Sequence, residues 1–225
     1  SPIVSVNVPG QRKMGSVGRP IPGCRVVIDP SASTDGKSGE ITVYGPNVMK
    51  GYYKLKADTD AVFTADGGFR TGDLGYLDEE NYLYITGRIK EQYKLENGKY
   101  VVPAPLEELI KLSPFVANVM IYGENKPFNV AVIAPNMDAL RDWAKQNAIG
   151  GKSDDELLVD DRVRAKMKEE LDKVSSEFKG YERIRSFALV AEDFTLANDM
   201  LTPKLSVKRR NVMARWGKEI DKLYA

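Results

Sequence analysis

The sequence predicts an α+β protein: a distorted, barrel-like antiparallel β subdomain over residues 1–87, followed by an α+β domain over residues 88–225. Two observations indicate the β subdomain: residues before 87 are rich in glycine and proline, and they alternate between apolar and polar in short runs. A third observation indicates the α+β domain, because convincing helical patterns appear only after residue 100. The composition changes at residues 87–90, where we place the border.

Strands are predicted over residues 24–28 and 40–44, and the alternating pattern makes the second strand half-buried. Residues 74–77 and 82–86 flank the polar turn 78–81, which predicts a β-hairpin.

The second half mixes predicted helices and strands. The strands are expected at residues 118–122, 129–134 and 184–190. The helices are expected at residues 105–112, 136–147, 153–178 and around 212–223. Two helices carry start signals: Asn136 can cap the second one, and Ser153 with Glu156 has the spacing of a capping box.

Composition excludes several classes of chemistry. The 225 residues contain no histidine and one cysteine, which excludes a Ser-His-Asp triad, a His-ligated zinc and an internal disulfide. With 33 basic and 32 acidic residues, the net charge of +1 argues against bulk capture of nucleic acid. No apolar run approaches the roughly 20 residues that span a bilayer, and we expect no signal peptide. These features favour a reducing cytoplasm.

The most informative motif is Thr-Gly-Asp at residues 71–73, expected at the start of a strand. A fixed carboxylate at Asp73 can accept two hydrogen bonds from a vicinal diol such as a ribose, although a simple turn residue is the alternative. Arg88 follows across the predicted hairpin, so the two side chains could grip one sugar-phosphate. The alternative is a surface ion pair worth about 0–1 kcal/mol.

Three further segments are candidates. Lys90 and Glu91 lie at the border and are either a solvated linker or a hinge. The Asn97-Gly98 pair predicts a tight hairpin turn within residues 94–103. The basic stretch 201–210 begins on a loop and is either a solvated helix start or a source of a mobile ammonium for a phosphate.

Taken in order, these segments resemble the adenylate-forming superfamily of acyl-CoA synthetases, firefly luciferase and the adenylation domains of peptide synthetases. The resemblance is carried by residues 15–20, 39–53, 69–77, 82–91 and 201–210, spread over nearly the whole chain. Residues 94–103 look most like the long-chain fatty acyl-CoA synthetase branch. Family members carry a phosphate loop and an acyl pocket ahead of these motifs. The resemblance therefore implies a C-terminal fragment that is inactive by itself.

The resemblance also implies roles for individual residues. Asp73 matches the acceptor for the ribose hydroxyls, and Arg88 matches a second nucleotide contact. Lys90 matches the hinge, within residues 88–91, about which a small mobile C-terminal domain swings. In one pose the domain would complete adenylation. In the other, the segment containing Lys94, Gly98 and Lys99 would face the CoA thiol.

The lysine that would serve adenylation has two candidates. Anchoring the family motif on Thr202-Pro203 points to Lys204, which we favour because it lies on the loop before the helix. Anchoring on Arg209-Arg210 instead puts Ser206 in the place of the lysine, with Lys208 two residues further on.

The implied reaction converts a fatty acid of long chain length, ATP and CoA into acyl-CoA, AMP and pyrophosphate through an acyl-adenylate. It would belong to fatty acid and lipid metabolism, with Mg²⁺ carried by ATP and no metal site in this chain. We expect a cytoplasmic protein, with peripheral membrane contact left open, and no nucleic-acid partner. Two alternatives remain: an adenylating enzyme that loads an acyl or aminoacyl group onto a carrier protein, and a non-catalytic module that binds phosphate-rich partners. The sequence does not define the oligomeric state.

Overall fold

In a computed structural model, which describes residues 3–33 and 36–225, the chain divides into two compact units, Ser1–Gln92 and Tyr93–Ala225. Both units contain helices and strands, and the predicted α+β class is confirmed. The predicted border at residue 87 and the hinge at 88–91 stay predictions, because a division by compactness identifies no pivot.

The first unit is built on an antiparallel sheet of four strands in the order β3-β4-β5-β6. Two short strands, β1 and β2, pair separately. The unit contains β1 Ser5–Val6, β2 Arg19–Pro20, β3 Arg25–Asp29, β4 Gly39–Tyr44, helix α1 Lys56–Val62, β5 Phe69–Leu77 and β6 Leu83–Arg88. The predicted hairpin of β5 and β6 is confirmed. The barrel-like closure is not: β3 and β6 are the open edges of the four-stranded sheet.

Strand β4 is buried on both faces, whereas its alternating sequence predicted a half-buried strand. Ile41 and Val43 pack in the core with Val26 and Leu83, as the pattern requires. Glu40, on the opposite face, is buried too. Its burial depends on partners in β5, which the alternation of β4 alone does not reveal.

Helix α1 was not predicted. None of its residues is buried, so the helix has no apolar face packed on a core that a sequence pattern could indicate. Lys56 pairs with Asp60 one turn later at 2.7 Å, and Oγ1 of Thr59 accepts the N–H of Tyr52 at 2.9 Å. Local bonds of this kind stabilise a surface helix without an amphipathic signal.

The second unit is a three-stranded sheet in the order β11-β10-β9, together with a small hairpin of β7 and β8. Strand β10 pairs antiparallel with β9 and parallel with β11. The strands are β7 Tyr93–Lys94, β8 Tyr100–Val101, β9 Val116–Tyr122, β10 Asn129–Pro135 and β11 Ile184–Leu189. The helices are α2 Pro103–Ile110, α3 Met137–Gln146, α4 Asp154–Leu158, α5 Asp161–Val174 and α6 Arg209–Lys222.

Strand β10 separates two hydrophobic cores. Ala131 and Ile133 face the core that contains residues of α2 to α5, while Val130 and Val132 face the core that contains residues of α6. Because successive side chains point to opposite faces, a fully buried strand reads as a continuous apolar run.

The helix starts confirm two sequence signals and correct two others. Asn136 caps α3, and Ser153 with Glu156 forms the capping box of α4. Helix α2 begins at Pro103, two residues before the prediction. The single helix predicted over 153–178 is two helices, because the carboxylate of Asp160 accepts the N–H of Arg162 and starts α5. No helix among the described residues is long and apolar enough to cross a membrane.

Candidate functional site

Asp73 and Arg88 stand directly opposite each other on β5 and β6. The Nε of Arg88 donates to Oδ1 of Asp73 at 2.7 Å, and this hydrogen bond raises the pKa of Arg88. The side chain of Asp73 is 31% exposed and that of Arg88 is 61% exposed. Within the described part of the chain, Oδ2 of Asp73 and both terminal nitrogens of Arg88 have no hydrogen-bond partner. The pair therefore offers one acceptor and several planar donors to a ligand.

A bulge in β5 positions Asp73. Glu40 pairs with Leu74 and Thr42 with Arg70, so Ile41 alone faces the three residues 71–73. Gly72 has a φ of +73°, a conformation that glycine adopts without strain. The motif was predicted at the start of a strand and instead lies in the middle of β5, which begins at Phe69. Bulges of this kind re-aim side chains and are frequent near functional sites.

A cavity of about 650 Å³ opens beside Arg88, whereas Asp73 contacts Arg88 but is not one of the residues that line the cavity. Its volume falls within the roughly 300–1,000 Å³ of small-molecule sites. Its walls include Glu40, Tyr52, Arg70, Gly72, Arg88 and Lys90. Both charges and an aromatic ring are thus available to a polar ligand.

Sequence reasoning assigned no role to Glu40 or Arg70. The Nη1 of Arg70 donates to Oε2 of Glu40 at 3.0 Å, and the N–H of Gly72 donates to Oε1 at 3.2 Å. The sequence signal for this pair is the opposite charge of Arg70, which precedes the Thr-Gly-Asp motif, and Glu40. The two residues can be recognised as neighbours only once β4 and β5 are known to pair.

Lys90 lies on a single 3₁₀ turn, Ile89–Glu91, that follows β6 directly. Lys90 and Glu91 are exposed. The N–H of Gln92 donates to the carbonyl of Arg88 at 3.2 Å, and its side-chain amide donates to the carbonyl of Ala32 at 3.3 Å. Hydrogen bonds of Gln92 thus hold the end of the turn, while the side chains of Lys90 and Glu91 are exposed. The hinge role of Lys90 stays a prediction.

Lys94, Gly98 and Lys99 lie on the hairpin of β7 and β8, as the Asn97-Gly98 signal predicted. Gly98 has a φ of +83°, and the N–H of Leu95 donates to the carbonyl of Lys99 at 2.9 Å. Lys94 and Lys99 are exposed, and Nζ of Lys94 lies 5.7 Å from the ring centre of Tyr100. The hairpin presents two ammonium groups on a short, closed turn.

Lys204 is at the exposed tip of a loop that closes between Leu201 and Val207. The N–H of Leu205 donates to the carbonyl of Thr202 at 2.8 Å, which makes Lys204 part of a tight turn. In the described ranges, Lys204 has no ion-pair partner, whereas Lys208 pairs with Asp199. The structure therefore distinguishes the two candidate lysines: one ammonium is available and the other is engaged.

The loop is followed, at the start of α6, by an ion pair whose carboxylate is buried. Arg209 pairs with Glu107 of α2 and donates to the carbonyl of Ile121 at 2.7 Å. Oε1 of Glu107 also accepts the N–H of Ile121 at 2.7 Å. Burial raises the pKa of Glu107, and the adjacent guanidinium of Arg209 counteracts part of that rise. Sequence reasoning missed this pair, which joins residues 102 positions apart.

Asp73, Arg88 and Lys90 therefore belong to the first unit, where Arg88 and Lys90 line one cavity and Asp73 is bonded to Arg88. Lys94, Gly98, Lys99, Lys204 and Lys208 belong to the second. Among residues 3–33 and 36–225, no three acidic or cysteine side chains cluster closely enough to hold a metal ion.

Comparisons with known proteins agree with the resemblance. The AMP-binding enzyme model matches residues 1–53, and the model of the AMP-binding enzyme C-terminal domain matches residues 90–225. The chain is 34% identical over 213 residues to the long-chain-fatty-acid–CoA ligase FadD15 of Mycobacterium tuberculosis, covering 94% of this chain and 34% of that protein. It is 33% identical over 235 residues to the peroxisomal long chain acyl-CoA synthetase 7 of Arabidopsis thaliana, covering 99% and 33%.

A solved structure, the A-PCP didomain of carboxylic acid reductase from Segniliparus rugosus in complex with AMP, matches with a TM-score of 0.71. The identity is 25%, over 93% of this chain and 28% of that one. The chain spans about a third of the length of the curated relatives it matches. On the match of residues 90–225, this chain belongs to the AMP-binding enzyme family, through its C-terminal domain.

Proposed function

We propose that the whole protein activates a carboxylic acid with ATP and transfers the acyl group to CoA. The observation that carries this is the Asp73–Arg88 pair, whose arginine lines a cavity with the volume of a small-molecule site. The free oxygen of Asp73 would accept a ribose hydroxyl, and the terminal nitrogens of Arg88 would donate to a neighbouring oxygen of the same nucleotide. We place ATP, and the AMP formed from it, at this position.

The first step joins the carboxylate to ATP. A carboxylate oxygen attacks the α-phosphorus, and the bond from that phosphorus to pyrophosphate breaks, which gives the acyl-adenylate and pyrophosphate. Positioning and neutralisation of charge dominate such displacements at phosphorus. We assign the neutralising ammonium to Lys204, because it has no partner in the described ranges while Lys208 pairs with Asp199. Mg²⁺ would arrive with the phosphates of ATP, and we assign no residue of this chain to it.

The second step transfers the acyl group. The sulfur of the CoA thiol attacks the acyl carbon, the bond from that carbon to the AMP oxygen breaks, and the thiol proton leaves to solvent. We assign the hairpin with Lys94, Gly98 and Lys99 to the thiol side. Its two exposed ammonium groups suit an anionic cofactor. Rotation about Lys90 would exchange Lys204 for this hairpin between the steps.

A long-chain fatty acid is the proposed substrate, which would place the enzyme in fatty acid metabolism. The support is the resemblance of residues 94–103 and the printed names of two relatives, a long-chain-fatty-acid–CoA ligase and a long chain acyl-CoA synthetase.

Transfer to a carrier protein is the second candidate. The observation that favours it is the structural match to an A-PCP didomain. The non-catalytic module that binds phosphate-rich partners loses support, because Lys208 and Arg209 of the basic stretch 201–210 already pair with Asp199 and Glu107.

The test is pyrophosphate exchange by the complete gene product across carboxylic acids of increasing chain length. Exchange should depend on a long-chain fatty acid, and adding free CoA should yield acyl-CoA. Asp73→Asn should abolish most of the exchange, while Asp138→Asn, at an exposed position of the second unit, should not change it. Exchange without acyl-CoA formation would favour the carrier protein. Full exchange by Asp73→Asn would contradict the nucleotide site.

A further inference from the structure

We propose that Glu40 is a positioning residue of the nucleotide site: its buried carboxylate holds the bulge at residues 71–73 and thereby aims the carboxylate of Asp73. This role depends on the proposed nucleotide site. It adds to that site a residue that is 33 positions from Asp73 in sequence and does not itself contact the ribose.

The bulge needs bonds that the sheet does not supply. Since Ile41 alone faces residues 71–73, the ordinary ladder of β4 and β5 is interrupted there. Side chains replace it. The N–H of Gly72 donates to Oε1 of Glu40 at 3.2 Å, and the N–H of Asp73 donates to Oγ1 of Thr71 at 3.1 Å. Oγ1 of Thr71 in turn donates to the carbonyl of Ile41 at 2.7 Å.

Of the two side chains that hold the bulge, Glu40 is charged and buried, whereas Thr71 is neutral and partly exposed. The side chain of Glu40 is 9% exposed, and Arg70 neutralises it through Oε2 at 3.0 Å. A second acceptor, Oδ2 of Asp29, lies farther from Nη1 of Arg70, at 3.8 Å. Burying the carboxylate of Glu40 carries a desolvation penalty, and its partner Arg70 is itself 41% exposed, so the pair is weak support for stability. A role in fixing local geometry accounts better for a carboxylate at this position.

The geometry it fixes is that of the next residue along the chain. Gly72 has the left-handed φ of +73°, and no side chain of its own to hold it there. A Cβ at Gly72 would meet nothing within 4 Å, so packing does not restrain it either. The bond from its amide to Glu40 is therefore a principal restraint on the backbone that leads into Asp73. Misplacing a binding group by about 1 Å can lower activity by roughly 100-fold.

The experiment compares Glu40→Leu, Glu40→Gln and Asp29→Asn in the complete gene product. AMP affinity is measured by calorimetry, and the KM values for ATP and for the carboxylic acid by pyrophosphate exchange. Glu40→Leu should weaken AMP binding and raise the KM for ATP by about 10- to 100-fold, with the KM for the acid unchanged. Glu40→Gln should recover most of this, because its amide oxygen still accepts the N–H of Gly72. Asp29→Asn, near Arg70 but not bonded to the bulge, should behave as the unmodified protein.

If Glu40 has a purely structural role, Glu40→Leu should lower kcat and the thermal midpoint and leave the KM for ATP unchanged. That result would overturn the proposal, and so would an unchanged AMP affinity of folded Glu40→Leu. Should Glu40→Leu not fold, Glu40→Asp decides, because the shorter side chain keeps its charge but withdraws from Gly72. Folded Glu40→Asp with unchanged AMP affinity also overturns it. Asp73→Asn is measured in parallel. If Asp73→Asn binds AMP normally, the proposed nucleotide site is wrong. If Asp73→Asn loses AMP binding and the Glu40 variants do not, only the role of Glu40 is wrong.

Discussion

The Nε of Arg88 lies 2.7 Å from Oδ1 of Asp73, and the two residues are register partners on antiparallel strands. An ion pair this exposed stabilises a protein by about 0–1 kcal/mol. Its contribution to folding is therefore small, and the two groups can exchange part of their contact for a ligand at little cost. The Glu107–Arg209 pair in the second unit differs, because the carboxylate of Glu107 is buried and water cannot fully replace its partners, although 29% of the Arg209 side chain is exposed.

Gly72→Ala should destabilise the bulge by about 1–2 kcal/mol, because a side chain disfavours the left-handed backbone even where space is open. Amide hydrogen exchange along β5 measures this locally. Gly67→Ala is the matched control, with a φ of +86° and equally open surroundings. Both variants should lose stability locally, but only Gly72→Ala should weaken AMP binding. Equal AMP binding by both would separate the bulge from the nucleotide site.

Lys204→Ala should slow acyl-adenylate formation by about 100-fold, the usual effect of removing one electrostatic contact to a transition state. It should leave thioester formation from supplied acyl-adenylate unchanged. Lys208→Ala is the comparison, since Lys208 already pairs with Asp199. The two half-reactions are followed separately by single-turnover kinetics. The opposite pattern, with Lys208→Ala selectively slow, would transfer the role to Lys208.

Lys90→Pro should impair the alternation between the two half-reactions. Proline disfavours helical backbone at the preceding residue, and Ile89 lies in the 3₁₀ turn. One half-reaction should fall by about tenfold or more relative to the other, as expected when a hinge is restricted. Lys90→Ala should preserve both, because the proposed role lies in the backbone. Unchanged rates in Lys90→Pro would exclude the hinge.

Glu107→Ala should lower the free energy of unfolding by about 3–5 kcal/mol, because it leaves Arg209 and the amide of Ile121 without their acceptor. Glu107→Gln should lose less, since its oxygen can still accept from Ile121. Urea unfolding followed by the fluorescence of Trp143 and Trp216, both in the second unit, measures this. The exposed neighbour Glu108 is the control, and Glu108→Ala should change stability by less than about 0.5 kcal/mol. A similarly small effect of Glu107→Ala would contradict the structure.

Asp160 should contribute to acid unfolding. The ammonium of Lys152 and the N–H of Arg162 lower the pKa of Asp160 from 3.8 to about 2. Because the pKa is lower in the folded protein, the stabilisation is complete above pH 4 and is lost as the pH falls toward 2. Asp160→Asn should therefore be less stable than the unmodified chain at pH 7, and the difference should shrink between pH 4 and 2. Asp172→Asn, on the same helix, is the control. A difference independent of pH would exclude this titration.

Elements and pairings that depend on local signals could be predicted from the amino-acid sequence. The caps at Asn136 and Ser153 and the Asn97-Gly98 turn each depend on a few consecutive residues, so short-range chemistry decides them. The approach of Asp73 to Arg88 followed from a hairpin with a polar turn, which brings nearby residues together regardless of the rest of the fold.

The tertiary structure alone decided the bulge at Gly72, the burial of Glu40 and the link from Glu107 to Arg209. Glu40 and Arg70 are 30 positions apart, and Glu107 and Arg209 are 102 apart. Such partners meet only through the register of strands and the packing of helices. Those are collective results of burying the hydrophobic cores of the two units, and no local pattern of residues encodes them.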